Sequence, residues 1–251
     1  MRYSFAAFIL IFSVAFSAAA QSSTEMARAD SLFQNYHEKE ALVLYNDILD
    51  ENPQNFKALW RSSLLYARIG NRLKDSDEKE DFFINANKRA DRALQVDPTH
   101  TQSNLVKSIA MGQMALIGGT RDRVAATRDI KKYAERSLKA DSTNPGPWHV
   151  LGIWNYEVSD LNFAERMAAN VLFGGIPDGA SLENAVNYIE KAIELNPDFL
   201  LYYYDLARSY KEMGKDSQAI ASCQKALQKP TVAPDDDKIK QDCRELIDDL
   251  K

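Results

Sequence analysis

Apolar residues recur along this chain at the three- and four-residue spacing of amphipathic helices, and the helices come in pairs. The clearest pair lies near the C-terminal end. Tyr203, Leu206, Ala207 and Tyr210 form one stripe, Gly214 interrupts it, and Ala219, Cys223 and Ala226 form the next. Small residues at Ala207 and Ala219 let two antiparallel helices approach closely, while Tyr203, Leu206 and Tyr210 fill the seam between them. Gly214 supplies the left-handed backbone that ends the first helix.

This is the spacing of a tetratricopeptide unit, W-x2-L-G-x2-Y, a turn glycine, then A-x3-F-x2-A with a proline beyond. Upstream, Trp148-His149-Val150-Leu151-Gly152 opens another unit that Ala185, Ile189 and Ala192 close before Asn196-Pro197. Ala86, Ala90 and Ala93 before Asp97-Pro98 close a third, whose first helix is predicted over 56–69. Ala41, Tyr45 and Ile48 before Asn52-Pro53 close the N-terminal unit, after a helix predicted over 26–36. A degenerate unit lies between, predicted over 101–116 and 129–140, and it ends in Asp141-Ser142 where Asp-Pro is usual. The expected fold is all-α: five helix pairs stacked as a right-handed superhelical solenoid. A run of Ile239, Cys243, Leu246, Ile247 and Leu250 adds a capping helix over 234–250, with Asp235, Asp236 and Asp237 at its positive end.

Two units carry insertions. Between Tyr66 and Ala86 the spacing exceeds the usual one by about eleven residues, mostly the charged run 74–81, which should lengthen a helix pair and its solvated turn. Between Asn155 and Ala185 the excess is about twenty-one residues. That segment contains a predicted helical stretch at 163–172, the loop from Phe173 through Gly174 and Gly175 to Ala180, and Ser181 as N-cap of the next helix. An ordered insertion of this size is a candidate functional element.

The N-terminus follows a different pattern. Arg2 precedes an apolar run from Phe5 to Phe16 and the small residues Ser17-Ala18-Ala19-Ala20, the layout of a cleavable export signal over 1–20, leaving a single repeat domain over 21–251. The expected location is exported, periplasmic or extracellular. Removal of 1–20 takes away one basic and no acidic residue, so the formal charge moves from −5 to −6. A mildly acidic chain without a clustered basic surface argues against nucleic acid as partner. No transmembrane span is expected after cleavage, although peripheral membrane association is compatible with the pattern.

Taken in order, Leu59-Trp60-Arg61, a long charged insertion, Ala90-Asp91-Arg92-Ala93, Leu151-Gly152-Ile153-Trp154-Asn155-Tyr156-Glu157-Val158, Glu165-Arg166, Leu172-Phe173-Gly174, Glu183-Asn184-Ala185 and Lys191-Ala192 resemble the regulator of microtubule dynamics family. The resemblance runs from about residue 40 to the C-terminal end. It implies the repeat fold and register, a non-enzymatic role, and, for the eukaryotic members, association with membranes, microtubules or organelle contacts. The export segment is a departure from the family pattern, and the architecture is what carries over.

Catalytic signals are missing from the pattern. His37, His100 and His149 fall in three different units, so no metal or cofactor site is expected from them, and no nucleophile sits in a recognisable elbow. The glycine pairs Gly118-Gly119 and Gly174-Gly175 read as helix turns rather than phosphate loops, and Asp235-Asp236-Asp237 lacks the alternation of a calcium loop. Cys223 and Cys243 are the two cysteines. The register places both against the same seam, as a disulfide or as two buried free thiols.

The expected function is therefore a non-catalytic scaffold that binds a protein or peptide in its concave groove. In this repeat the groove is lined by fixed positions of each first helix. Here those are Lys57, Trp60 and Arg68, then Gln102 and Gln113, then His149, Tyr156 and Glu157, then Tyr204, Arg208 and Lys211. Trp, Tyr and Arg are the types that dominate interface energetics. Four cations against Glu157 suggest an acidic or carboxylate-bearing partner. The apolar segments 109–117 and 167–176 motivate an alternative, a carrier of a lipid or small apolar ligand.

Overall fold

A computed structural model of the chain describes residues 23–159, 161 and 179–251. The predicted export segment, the predicted helix at 163–172, the Glu165-Arg166 pair and most of the loop at 173–180 lie outside them. Regular structure among the described residues is entirely helical. The helices are α1 (23–34), α2 (Glu38–Glu51), α3 (Phe56–Arg72), α4 (Ser76–Val96), α5 (Thr101–Ile117), α6 (Thr120–Ala140), α7 (Pro145–Ser159), α8 (Leu182–Leu195), α9 (Leu200–Glu212), α10 (Asp216–Gln228) and α11 (Asp236–Asp249). They form the five predicted pairs, α3/α4 to α9/α10 in close contact and α1 packed on α2 through Ala29 and the Phe33–Tyr45 ring contact, with α11 packed on α10 and α9 as the cap.

Side chains in the turns cap four of the helix starts. Asn55 accepts from the Ala58 amide, Asp75 from those of Asp77 and Glu78, His100 Nδ1 from that of Gln102, and Ser181 from that of Asn184. Two of the second helices end on carboxylate turns. Asp97 accepts the Thr99 amide at 3.0 Å and its hydroxyl at 2.9 Å, and Asp141 accepts those of Thr143 at 2.9 and 2.7 Å. These bonds hold both carboxyls below the usual range. Asp141-Ser142 thus closes its unit by the same device as Asp97-Pro98, and the proline is dispensable there.

Three boundaries differ from expectation. The charged run 74–81 is mostly the first two turns of α4, because Asp75 caps it and Asp77 and Glu78 sit at its positive end. Helix α6 starts at Thr120, nine residues before the predicted 129, with the Asp122 carboxylate accepting from the Gly119 amide at 3.3 Å. Helix α3 runs to Arg72, a turn past 69. Gly118 and Gly119 separate α5 from α6 with extended backbone, as helix turns.

Close approach depends on small residues. Ala41, Ala58, Ala86, Ala90, Ala185, Ala207 and Ala219 are all fully buried in the seams. Gly152 is tighter still, since a Cβ there would lie 2.5 Å from Ile189 Cγ1 of α8. Buried polar groups tie helices across the seams: Ser63 Oγ donates to the Ala86 carbonyl at 2.8 Å, and Trp154 Nε1 to the Thr127 carbonyl at 2.8 Å. Gly214 takes φ 69°, as the turn between α9 and α10 requires. Cys223 and Cys243 are buried free thiols in one cluster with Ala219, Ala226, Ile239 and Leu246.

Candidate partner-binding face

The first helices of successive pairs, α3, α5, α7 and α9, touch one another along one side of the stack, leaving the second helices outside. On α3, Arg61, Arg68 and Arg72 fall seven and four residues apart and share a face. Helix α7 divides its residues between two sides. Leu151, Trp154, Asn155 and Val158 are buried against neighbouring helices, while His149, Tyr156 and Glu157 are half-buried on the side toward α9. Asn155 Nδ2 donates to the Leu151 carbonyl, and its Oδ1 accepts from the Ser181 amide at 3.4 Å, so α7 itself holds the point where the long insertion returns.

Ion pairs within the chain organise this face into three groups. In the first, Asp30 of α1 accepts from the Tyr45 hydroxyl at 2.7 Å and pairs with Lys57 and with Arg61 Nε at 3.5 Å. The Arg61 guanidinium lies 4.2 Å from the Phe33 ring centroid and 4.8 Å from that of Trp60. In the second, the buried carboxylate of Glu38 pairs with Arg68 at 3.5 Å and with Arg72, and Arg72 Nη1 reaches Asp235 Oδ2 at 2.9 Å. Burial alone would lower the Arg72 guanidinium, but Glu38 and Asp235 raise it above its usual value. Arg72 therefore joins the first pair of helices to the segment that starts the cap.

The third group spans α7 and α9. His149 Nε2 meets Asp205 Oδ2 at 2.8 Å, and the imidazole packs at a tilt of 41° against Tyr202, 4.6 Å between centroids. Asp205 Oδ1 accepts from Arg208 Nη1 at 3.3 Å, and Arg208 Nη2 lies 3.8 Å from Glu157. The same guanidinium covers the Tyr156 ring at 4.5 Å. Burial pushes the Tyr202 phenol up to about 12, and it raises Tyr156 as well despite the opposing charge of Arg208. Pairing of this kind stores charge and aromatic surface on a face that water only partly reaches.

Of the eleven residues expected to line the groove, Lys57 and Lys211 are exposed and the other nine half-buried. His149, Tyr156, Glu157 and Arg208 are brought together in the third group. Lys57 and Arg68 belong to the first and second. Trp60 packs against two core clusters and acts mainly as core. Tyr204 is half-buried beside the cluster that includes the cap. Gln102 and Gln113 on α5 join none of the groups, and Gln113 Oε1 is buried without a hydrogen-bond partner.

The charge balance of this face differs from the count over groove positions alone. All four predicted cations have carboxylate partners in the chain: Lys57 with Asp30, Arg68 with Glu38, Arg208 with Asp205 and Glu157, and Lys211 with Asp249 at 3.7 Å. The apparent positive excess came from counting only first-helix groove positions, which omit Asp30, Glu38, Asp205 and Asp249. The i, i+3 pair Asp205–Arg208 and the Arg61–Arg68–Arg72 stripe were visible in the sequence. The partners Glu38 and Asp235 were not, because only the superhelix brings them within reach of Arg72.

A cleft of about 460 Å³ opens elsewhere, among Ser159, Ala180, Ser181, Leu182, Glu183, Met213 and Lys215. Its lining is largely polar, unlike the apolar pocket a lipid carrier needs. In the segment 109–117, Ile109 and Ala110 join the core, whereas Leu116 and Ile117 are exposed. The segment 167–176 lies outside the described residues. No helix among the described residues is long and apolar enough to cross a membrane.

Comparison with known proteins agrees with this architecture. Among solved structures, the thermophilic TPR protein TTC0263 of Thermus thermophilus superposes with a TM-score of 0.65 over 90% of this chain and 98% of its own, at 17% identity. PilF of Pseudomonas aeruginosa reaches 0.53 over 91% and 88%, at 11% identity. Both show the fold. Regulator of microtubule dynamics protein 3 of Rattus norvegicus is 28% identical over 229 residues, 88% of this chain and 47% of its own length. Regulator of microtubule dynamics protein 2 of Mus musculus is 25% identical, over 90% of this chain and 55% of its own length. The chain thus spans about half the length of these curated relatives. The profile of the family described as regulator of microtubule dynamics protein 1-3 matches residues 26–251, and this tetratricopeptide-type chain belongs to that family.

Proposed function

We propose that this chain is a non-catalytic scaffold that captures a protein or peptide segment along the face formed by α3, α7 and α9. One observation carries the reading: Arg68, Arg208, Tyr156 and His149 stand half-buried on that face, each held by a neighbour in the chain. Pre-positioned arginine and aromatic side chains lose little rotamer freedom on binding, which is what a recognition surface needs. An acidic partner would have to exchange with Glu38 or Asp205 rather than answer a net positive field. The exported location read from residues 1–20 belongs to the same proposal, since it decides in which compartment the partner is sought.

The test is a double variant, Arg68→Ala with Arg208→Ala, used as bait in its native extract. Each change leaves the buried carboxylate it abandons with a second partner, Arg72 for Glu38 and His149 for Asp205, while Glu157 is the more exposed partner of Arg208, so the fold should hold with a thermal midpoint within a few degrees. Loss of polypeptide capture by a folded double variant supports the proposal. Unchanged capture, or native mass spectra of the unaltered chain that retain lipid and no polypeptide, would overturn it.

A further inference from the structure

Cys223 and Cys243 lie on different helices, α10 and α11, and both are 0% exposed. Their neighbours are apolar or small: Ala219 and Ala226 on one side, Ile239, Leu246 and Ile247 on the other. The two thiols sit in the same buried cluster, where α11 packs on α10. Their mutual interaction draws Cys223 down from the usual thiol range and, together with burial, pushes Cys243 up. Two thiols of one buried cluster, on packed helices joined by the connection 229–235, place the raw material of a covalent link at the contact between the last pair and the cap.

We propose that Cys223 and Cys243 form a redox modification site, a dithiol that a small-molecule disulfide of the glutathione class converts to an intramolecular disulfide stapling α11 to α10. In the first step the Cys223 thiolate attacks one sulfur of the oxidant, forming a mixed disulfide and expelling one thiolate. Cys243 then gives its proton to solvent and attacks Cys223 Sγ, expelling the second thiolate. Two electrons pass from the cysteine pair to the oxidant, and the two protons end on the released thiols. Because neither sulfur meets solvent in the closed structure, exchange requires α11 to lift. Its principal packing among the described helices is on α9 and α10 alone, so such an opening is local. Once formed, the bridge closes a loop of about 20 residues and restricts that opening and the unfolded chain together.

The experiment uses the purified full chain, reduced, desalted and incubated with oxidised glutathione near its thermal midpoint. Expected are a mass loss of about 2 Da with no retained glutathione and a rise in the midpoint of roughly 5–10 °C, both reversed by dithiothreitol. Cys243→Ser should instead stop at one glutathione on Cys223 and show no such rise. Persistence of two alkylatable thiols in the unaltered chain, or stable glutathione on both, would overturn the site. A disulfide without a rise in midpoint would overturn the staple. The mass readout is taken on the unaltered chain and does not depend on the variant folding.

Discussion

Gly152 occupies a point of close approach between α7 and α8, with Ile189 Cγ1 at 2.5 Å and the Ala185 carbonyl at 3.3 Å from any added Cβ. A methyl group there must push a fully buried isoleucine and a backbone oxygen apart. Gly152→Ala should therefore destabilise the chain by about 1–3 kcal/mol, read as a lower urea midpoint at constant slope. Tyr202 is informative in another way. Its phenol is pushed up to about 12 by burial, against about 10 in an unfolded chain. Below pH 10 both states are neutral and the full stability is present; between about pH 10 and 12 only the unfolded state ionises this group, so stability falls as pH rises. Tyr202→Phe should make that alkaline loss shallower, as followed by chemical denaturation at stepped pH; an unchanged slope would show that Tyr202 does not contribute. At this scale the sequence was readable wherever a residue obeys the repeat, as Gly152, Gly214 and the buried alanines do. It was silent where a residue answers to a distant one: Arg72 lies beyond the groove positions, and its acceptor Asp235 is 163 positions away.

Helices were legible for a physical reason. The units bury small and apolar residues at three- and four-residue spacing, so periodicity in the sequence and burial in the structure are one pattern. Boundaries were less so, because termini depend on single caps rather than on periodicity. The run 74–81 looks like a solvated turn by charge alone, yet Asp75 turns most of it into helix by accepting the Asp77 and Glu78 amides at 3.1 and 2.9 Å. Asp75→Ala should cost about 0.5–2 kcal/mol, with hydrogen exchange accelerating in the first turns of α4 and not in α3. Uniform acceleration across both helices would place the start of α4 under the control of packing instead. Helix α6 is longer than its periodicity predicts because residues 120–128 lack a strong apolar stripe. The Asp122–Gly119 bond provides a start signal that periodicity does not show.

Among the described residues, Arg72 helps make the superhelix more than a row of nearest neighbours. It holds Glu38 of the first pair and Asp235 at the cap. Arg72→Ala leaves Glu38 with Arg68 and releases Asp235. With the guanidinium about a quarter exposed, the expected cost is about 1–2 kcal/mol. Small-angle scattering should show a larger radius of gyration if this contact restrains the two ends; an unchanged radius would mean that helix stacking alone sets the curvature.

The central claim, that a polypeptide is captured on the inner face, is tested most directly by position-specific photo-crosslinking in the native extract. A photoreactive phenylalanine analogue at Tyr204, half-buried on α9, is compared with one at Val43, exposed on α2 among the outer helices. The account predicts a discrete polypeptide adduct from position 204 and none from position 43. An adduct from Val43 with none from Tyr204 would contradict it.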